Sequence, residues 1–210
     1  MRLFTAVYPS AEASAHLDLA VGGVGGAAVP DPGAGLRWVP RAQRHVTLVF
    51  HGTVPDGALP GYVATLREAL AQVEPFPLSL AGSGTFGGRT LWVGLRDDVP
   101  ALRRLGALAS DVAAGEGMPA RERSGGRPHV TVARASTVRG GERRQARRER
   151  RAPEPAAPFA QWARALAVYS GPAWTVERVH VVASELGAGR SGGPAHTDVA
   201  ALPLGQAVDG

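Results

Sequence analysis

The sequence predicts an α+β fold, and three observations predict it. Segments rich in β-branched and aromatic residues mix with segments of helical apolar spacing in the order strand, helix, strand, helix, strand, strand, helix, strand. The same strand pattern, His-Val-Thr followed by an apolar residue, occurs at corresponding places in the two halves, at 45 and at 129. At 210 residues and 44% hydrophobic content, the chain can bury one sizeable core or two small lobes sharing one.

Taken in order, Arg2 to Tyr8 reads as a strand stopped by Pro9. Ser10 then caps a helix running to Ala20, which gives way to the glycine-rich stretch VGGVGGAAVPDPGAG. Leu36 to Val39 is a short extended piece and His45 to Val54 a strong strand. From about Asp56 to Val73, Leu59, Val63, Leu66, Leu70 and Val73 recur at helical spacing. Phe76 to Leu80 and Thr90 to Leu95 are strands joined by a glycine-rich turn. Pro100 to Ala114 is an amphipathic helix and His129 to Ala133 a strand. Arg143 to Arg151 is a charged helix or linker closed by APEPAAP. Phe159 to Tyr169 is helical, Trp174 to Ser184 is one strand, and Thr197 to Leu202 is an extended segment at a sheet edge.

Composition excludes several chemistries. No cysteine is present, so disulfides, thiolate metal sites and a cysteine nucleophile are ruled out, in keeping with a reducing compartment. The N-terminal apolar run is too short and too soon broken for a signal peptide, and no window approaches a membrane span, so the reading is of a soluble cytoplasmic protein with no membrane partner. A net charge of +5 points toward nucleic acid. That pointer is weak: every basic residue is arginine, and Gly141 to Arg151, with six Arg and two Glu, holds most of the excess.

The chemistry lies in His45-Val46-Thr47-Leu48 and His129-Val130-Thr131-Val132. Residues two apart on a strand share a face, so each motif presents an imidazole beside a hydroxyl while its aliphatic residues turn to the core. Two such pairs facing one another suit a phosphodiester. One histidine can take a proton from water and the other give one to the leaving oxygen, while the threonine hydroxyls donate to the non-bridging oxygens. No metal or other cofactor is required. Six His and ten Thr in 210 residues make fewer than one His-x-Thr expected by chance, and three occur. The third, His51-Gly52-Thr53, lies roughly 20 Å along the strand from His45 and cannot reach the same phosphate. Taken singly, a His-x-Thr is more often an ordinary half-buried strand pair. Two in matching contexts reverse that judgement.

These paired motifs, 84 residues apart, resemble those of the 2H phosphoesterase superfamily. Within it the chain is most similar to the RNA 2′,3′-cyclic phosphodiesterases, also called 2′-5′ RNA ligases. LRWVPRAQRHVTLVFHG resembles the family's approach to its first motif, FPLSLAGSGTFGGRTLWVGL its central hairpin, RPHVTVAR its second motif and VERVHVVASEL its closing strand. The resemblance implies a bilobal fold with pseudo-twofold symmetry: duplicated antiparallel sheets with flanking helices, and the active site in the cleft between lobes. It implies a single domain over 1–210 made of two intertwined lobes, with 141–158 as a charged, proline-rich insertion or linker.

The implied activity is opening of an RNA or nucleotide 2′,3′-cyclic phosphate to a 2′-phosphate, with reversible 2′-5′ ligation, by a monomer. His45 and His129 are the implied acid/base pair, His45 protonating the departing O3′ and His129 activating water. Thr47 and Thr131 hold the phosphate. Phe50 matches a position lining the nucleoside pocket and Arg134 an arginine near the substrate, with Arg127 a further candidate for substrate binding. At His51 the family more often has an apolar residue. The rival readings are a non-catalytic RNA-binding module of the same fold, and a phosphodiesterase of this type acting on another small cyclic phosphate.

Other signals are discounted. Gly82 to Gly87 matches G-x-G-x-x-G, but a strand rather than a helix follows, so it reads as a hairpin loop. The RRQARRERR run reads as a solvated face or a non-specific RNA contact. His16, His180 and His196 have no metal-ligand spacing and read as surface or core histidines. Trp38, Trp92, Trp162 and Trp174 read as packing anchors.

Overall fold

In the computed structural model, which describes residues 1–25, 36–55, 57–120, 127–135, 158–189 and 193–205, nine strands form one antiparallel sheet. They are β1 (Arg2–Val7), β2 (Leu36–Trp38), β3 (Val46–Thr53), β4 (Phe76–Phe86), β5 (Thr90–Asp97), β6 (Val130–Ala135), β7 (Ser170–Val176), β8 (Arg178–Glu185) and β9 (Ala195–Pro203). The order across the sheet is β7-β4-β5-β6-β3-β1-β8-β9, with β2 added beside β6. Each half has the same plan about the β6–β3 boundary. β5 lies between β6 and β4 as β1 lies between β3 and β8, and β7 and β9 close the two edges. The expected α+β fold with duplicated antiparallel halves is the one observed.

Four helices among the described residues cover this sheet: α1 (Ala11–Gly25), α2 (Ala58–Leu70), α3 (Val99–Gly115) and α4 (Pro158–Ala165). α1, which follows β1, packs on β7 of the other half. α3, which follows β5, packs on β3 of the first half, while α2 packs on β9 and α4 on β4 and β5. Each half is thus covered by one of its own helices and one from its twin. The apolar spacing explains the contacts. Tyr62, Leu66 and Leu70 of α2 and Leu102, Leu105, Ala109 and Ala113 of α3 are buried, the last four at helical intervals on one stripe. Ser10 Oγ accepts from Ala13 N at 3.1 Å and Asp98 Oδ1 from Ala101 N at 2.9 Å, so α1 and α3 start on a side-chain cap.

Besides α4, which ends at Ala165 rather than Tyr169, three elements differ from their sequence reading by several residues. α1 does not end at Ala20 but continues to Gly25, because Ala13, Leu17, Ala20 and Val21 all face the core and that packing outweighs the glycine penalty. Strand β4 does not end at Leu80. It runs to Phe86, so most of the GSGTF stretch is strand and only Gly87 to Arg89 turn. Gly84 has a packing reason to be there: a Cβ on it would sit 2.3 Å from the indole of Trp92, its cross-strand partner. Trp174 to Ser184 is two strands, not one. The chain breaks at Glu177 and passes from β7, paired with β4, to β8, paired with β1 on the far side of the sheet. The charged 141–157 segment lies outside the described residues. No helix among them is long and apolar enough to cross a membrane.

Candidate active site

The two His-x-Thr motifs meet at the centre of the sheet. β3 and β6 are antiparallel neighbours whose paired residues are Val46 and Val130. That register sets Thr47 across from His129 and His45 across from Thr131. Residues directly opposite in an antiparallel pair share a face. All four side chains therefore project from one side, with Val46 and Val130 buried behind them at 1% and 0% exposure. The pseudo-twofold axis passes between the two valines. All four residues line one cleft of about 1100 Å³.

Both imidazoles are oriented in the same way. His45 Nδ1 lies 2.8 Å from the carbonyl of Gln43, and His129 Nδ1 lies 2.9 Å from that of Arg127. A carbonyl only accepts, so Nδ1–H donates in each case and Nε2 is left with its lone pair. Aromatic rings back both: Phe4 stacks on His45 at 4.6 Å, and Phe86 meets His129 edge-on at 4.8 Å with Trp92 behind it. Burial pushes the His45 pKa down to about 4, and the nearby His196, Arg134 and His129 add to this against the opposing Gln43 carbonyl. His129 is lowered too, again chiefly by burial, with Arg134 contributing and the Arg127 carbonyl opposing.

The approach to His45 is braced. Arg44 is buried and its guanidinium pairs with Asp18 of α1, which Arg41 also contacts. Arg44 Nε donates to Val39 O at 3.1 Å, and Gln43 Nε2 donates to Pro194 O at 2.9 Å. Burial works to raise the Asp18 pKa, but the two arginines outweigh it and hold the carboxyl below its ordinary value.

A matched pair of bulges decides what else reaches the cleft. On β3 the register skips Leu48, since Ala6 pairs with Thr47 and Thr5 with Val49. On β6 it skips Val132, since Trp92 pairs with Thr131 and Leu91 with Ala133. Strict alternation would send Phe50 and Arg134 to the core face with Val46 and Val130. Each bulge reverses the parity after its threonine, so both residues line the cleft instead. The same reversal buries His51, at 1% exposure, on the opposite face. There Tyr62, Thr5, His51 and the Pro119 carbonyl form a hydrogen-bonded chain of 2.8, 2.9 and 2.9 Å. His51 is a structural histidine and forms no part of the pocket wall. Arg127 is placed differently from the rest: its guanidinium lies over Trp92 at 5.3 Å, away from the cleft lining, and what it gives the site is the carbonyl that holds His129.

His196, which the sequence reads as a surface or core histidine, stands in the cleft. β9 carries it to 5.4 Å from His45 and 5.0 Å from Phe4, and its Nδ1 is buried with no partner among the described residues. No spacing in the sequence points to it, because the long-range β8–β9 pairing places it. His16 and His180 do have partners, Tyr169 Oη at 3.2 Å and Asp198 at 2.8 Å. The described lining carries four arginines, Arg2, Arg37, Arg103 and Arg134, with three histidines and no carboxylate. A chain whose body looks nearly neutral in sequence thus concentrates cations on one concave surface, an arrangement made for an anion.

Comparison with known proteins bears on the family and the fold. The family model of the 2′-5′ RNA ligase superfamily matches residues 31–188. An RNA 2′,3′-cyclic phosphodiesterase of Thermus thermophilus is 33% identical over 205 residues, covering 94% of this chain and 87% of that protein. One of the same name from Geobacillus stearothermophilus is 39% identical over 105 residues, a match spanning 46% of this chain and 32% of the relative. Among solved structures, a T. thermophilus protein superposes with a TM-score of 0.67 at 27% identity, over 98% of this chain and all of the other. E. coli LigT complexed with 3′-AMP gives 0.66 at 24% identity, covering 98% of each chain, a likeness of fold.

Proposed function

Since the chain belongs to the 2′-5′ RNA ligase superfamily, we propose that it opens 2′,3′-cyclic phosphates at RNA or nucleotide ends to 2′-phosphates with its two histidines as acid and base. The observation that carries the reading is the Val46–Val130 register, which sets two imidazoles and two hydroxyls about one axis with each Nδ1–H tied back. Water attacks phosphorus and passes its proton to His129 Nε2. The P–O3′ bond breaks, and O3′ takes a proton from His45 Nε2. The 2′-ester bond survives. Thr47 and Thr131 donate to the non-bridging oxygens as charge grows there. A 5′-hydroxyl in place of water gives a 2′-5′ linkage by the same steps.

Burial favours neutral imidazole at both positions in the free protein. The phosphate's own negative charge favours the protonated form, so substrate and the acid's proton enter the site together. On the aromatic side, Phe50 stacks the base, as suits a nucleotide end; LigT has been solved with 3′-AMP. On the opposite side, Arg134 contacts the phosphate-bearing strand. The chain acts as a monomer in the cytoplasm and needs no metal for this chemistry.

The test is direct. EDTA-treated protein is incubated with an oligonucleotide bearing a 2′,3′-cyclic end, and the terminus is typed by phosphatase and chromatography. A 2′-phosphate terminus is expected; a persistent cyclic end, or a 3′-phosphate, refutes the mechanism.

A further inference from the structure

The two halves of the cleft are built alike but carry opposite chemistry. Phe50 follows His45 by five residues and Arg134 follows His129 by five, each just past a bulge that turns it inward. Their cross-strand partners correspond as well: Phe4 lies opposite Phe50, and Thr90 lies opposite Arg134. One wing is thus two phenylalanines, with Arg2 lying over the Phe50 ring at 4.9 Å. The other is a threonine and an arginine. β2 then adds a second cation to that wing, because Arg37 is paired directly across from Arg134.

Like charges directly opposite on neighbouring strands are destabilising. Paired Cα atoms stand only about 4.5–5.5 Å apart, and among the described residues neither guanidinium has a carboxylate partner. Burial and the charge of Arg37 together lower the pKa of Arg134. Such a pair costs stability until an anion lies across it, and both arginines line the cleft. The reacting phosphate is held elsewhere, at the axis. Across the bulge, Thr131 and Arg134 pair with Trp92 and Thr90, which are two residues apart on β5, so they stand about 7 Å apart at strand rise, a distance that one nucleotide unit covers.

We propose that Arg37 and Arg134 form a second anion site, which takes the phosphodiester adjoining the terminal nucleoside and makes RNA 3′ ends better substrates than free mononucleoside cyclic phosphates. This rests on the proposed function and adds Arg37 to it as a specificity-determining residue. The experiment compares kcat/KM for a dinucleotide ending in a 2′,3′-cyclic phosphate with that for the mononucleoside cyclic phosphate, in wild type and in Arg37→Gln. Wild type should favour the dinucleotide by more than tenfold. Loss of one charge-assisted contact should lower that ratio about tenfold and flatten the dinucleotide's log–log salt dependence by about 0.7.

Wild-type protein gives a second readout, in which a nucleoside 2′,5′-bisphosphate should inhibit at least tenfold more tightly than the 2′-monophosphate. Equal turnover of the two substrates by wild type, or an equal loss on both in Arg37→Gln, overturns the second site and leaves the cyclic-phosphate reading standing. Absence of turnover on either substrate refutes that reading instead.

Discussion

Replacing His45 with asparagine should remove a defined part of the protein's acid sensitivity. Burial holds the His45 pKa at about 4 against 6.5 for the free side chain. Between those values the unfolded chain binds a proton that the folded chain refuses. Stability therefore falls as pH drops through this window, and it is fully present only above 6.5. From pH 7.5 to pH 4.5 the linkage amounts to about 2–3 kcal/mol for this one residue. Asparagine keeps an N–H to offer the Gln43 carbonyl but takes up no proton. Urea unfolding of both proteins at the two pH values isolates the effect, since the other titrating groups are common to both and largely cancel. Wild type should lose about 2–3 kcal/mol more than His45→Asn on acidification. Equal losses, within about 0.5 kcal/mol, would show that His45 is not held neutral by its surroundings.

Three further predictions follow from the same geometry. The pH profile of kcat/KM reports the free enzyme, where both imidazoles are lowered, and that of kcat reports the complex, where phosphate raises them. The kcat optimum should lie at higher pH than that of kcat/KM; coincident bells contradict this. Gly84→Ala drives a methyl into the Trp92 indole that backs Phe86 and His129. It should cost about 1–3 kcal/mol in thermal unfolding and lower kcat, whereas unchanged melting and turnover would remove the role given to that glycine. Asp18→Asn leaves buried Arg44 without its partner beside His45. A loss of about 2 kcal/mol and a fall in kcat are expected, checked by denaturation and by assay of the same preparation.

The two His-x-Thr pairs that meet in the cleft were legible in the sequence because both of their signals are local: a two-residue spacing and a strand pattern around it. Strict alternation could not explain why Phe50 and Arg134 face the cleft. Only the family resemblance pointed to them, and the bulges at Leu48 and Val132 supply the physical reason. The same bulge removes His51 from the pocket, which its spacing from His45 alone does not show. His196 and Arg37 carried no local signal at all. One reaches the site through the pairing of β9 with β8, the other through the pairing of β2 with β6, and both pairings join residues distant in the chain. The break at Glu177 was hidden for a related reason. A single β-patterned run serves two strands on opposite sides of the sheet, and only the partners of those strands reveal it.

The proposed chemistry requires two imidazoles to act as a unit on one phosphorus. Opening of a cyclic-ended dinucleotide should be timed with wild type, His45→Ala, His129→Ala and the double variant. Each single change should cost at least about 10²–10⁴ in kcat, and the double should cost no more than about tenfold beyond the worse single. Losses that multiply, or a single variant keeping more than a tenth of the activity, would mean that the two histidines do not share a phosphate.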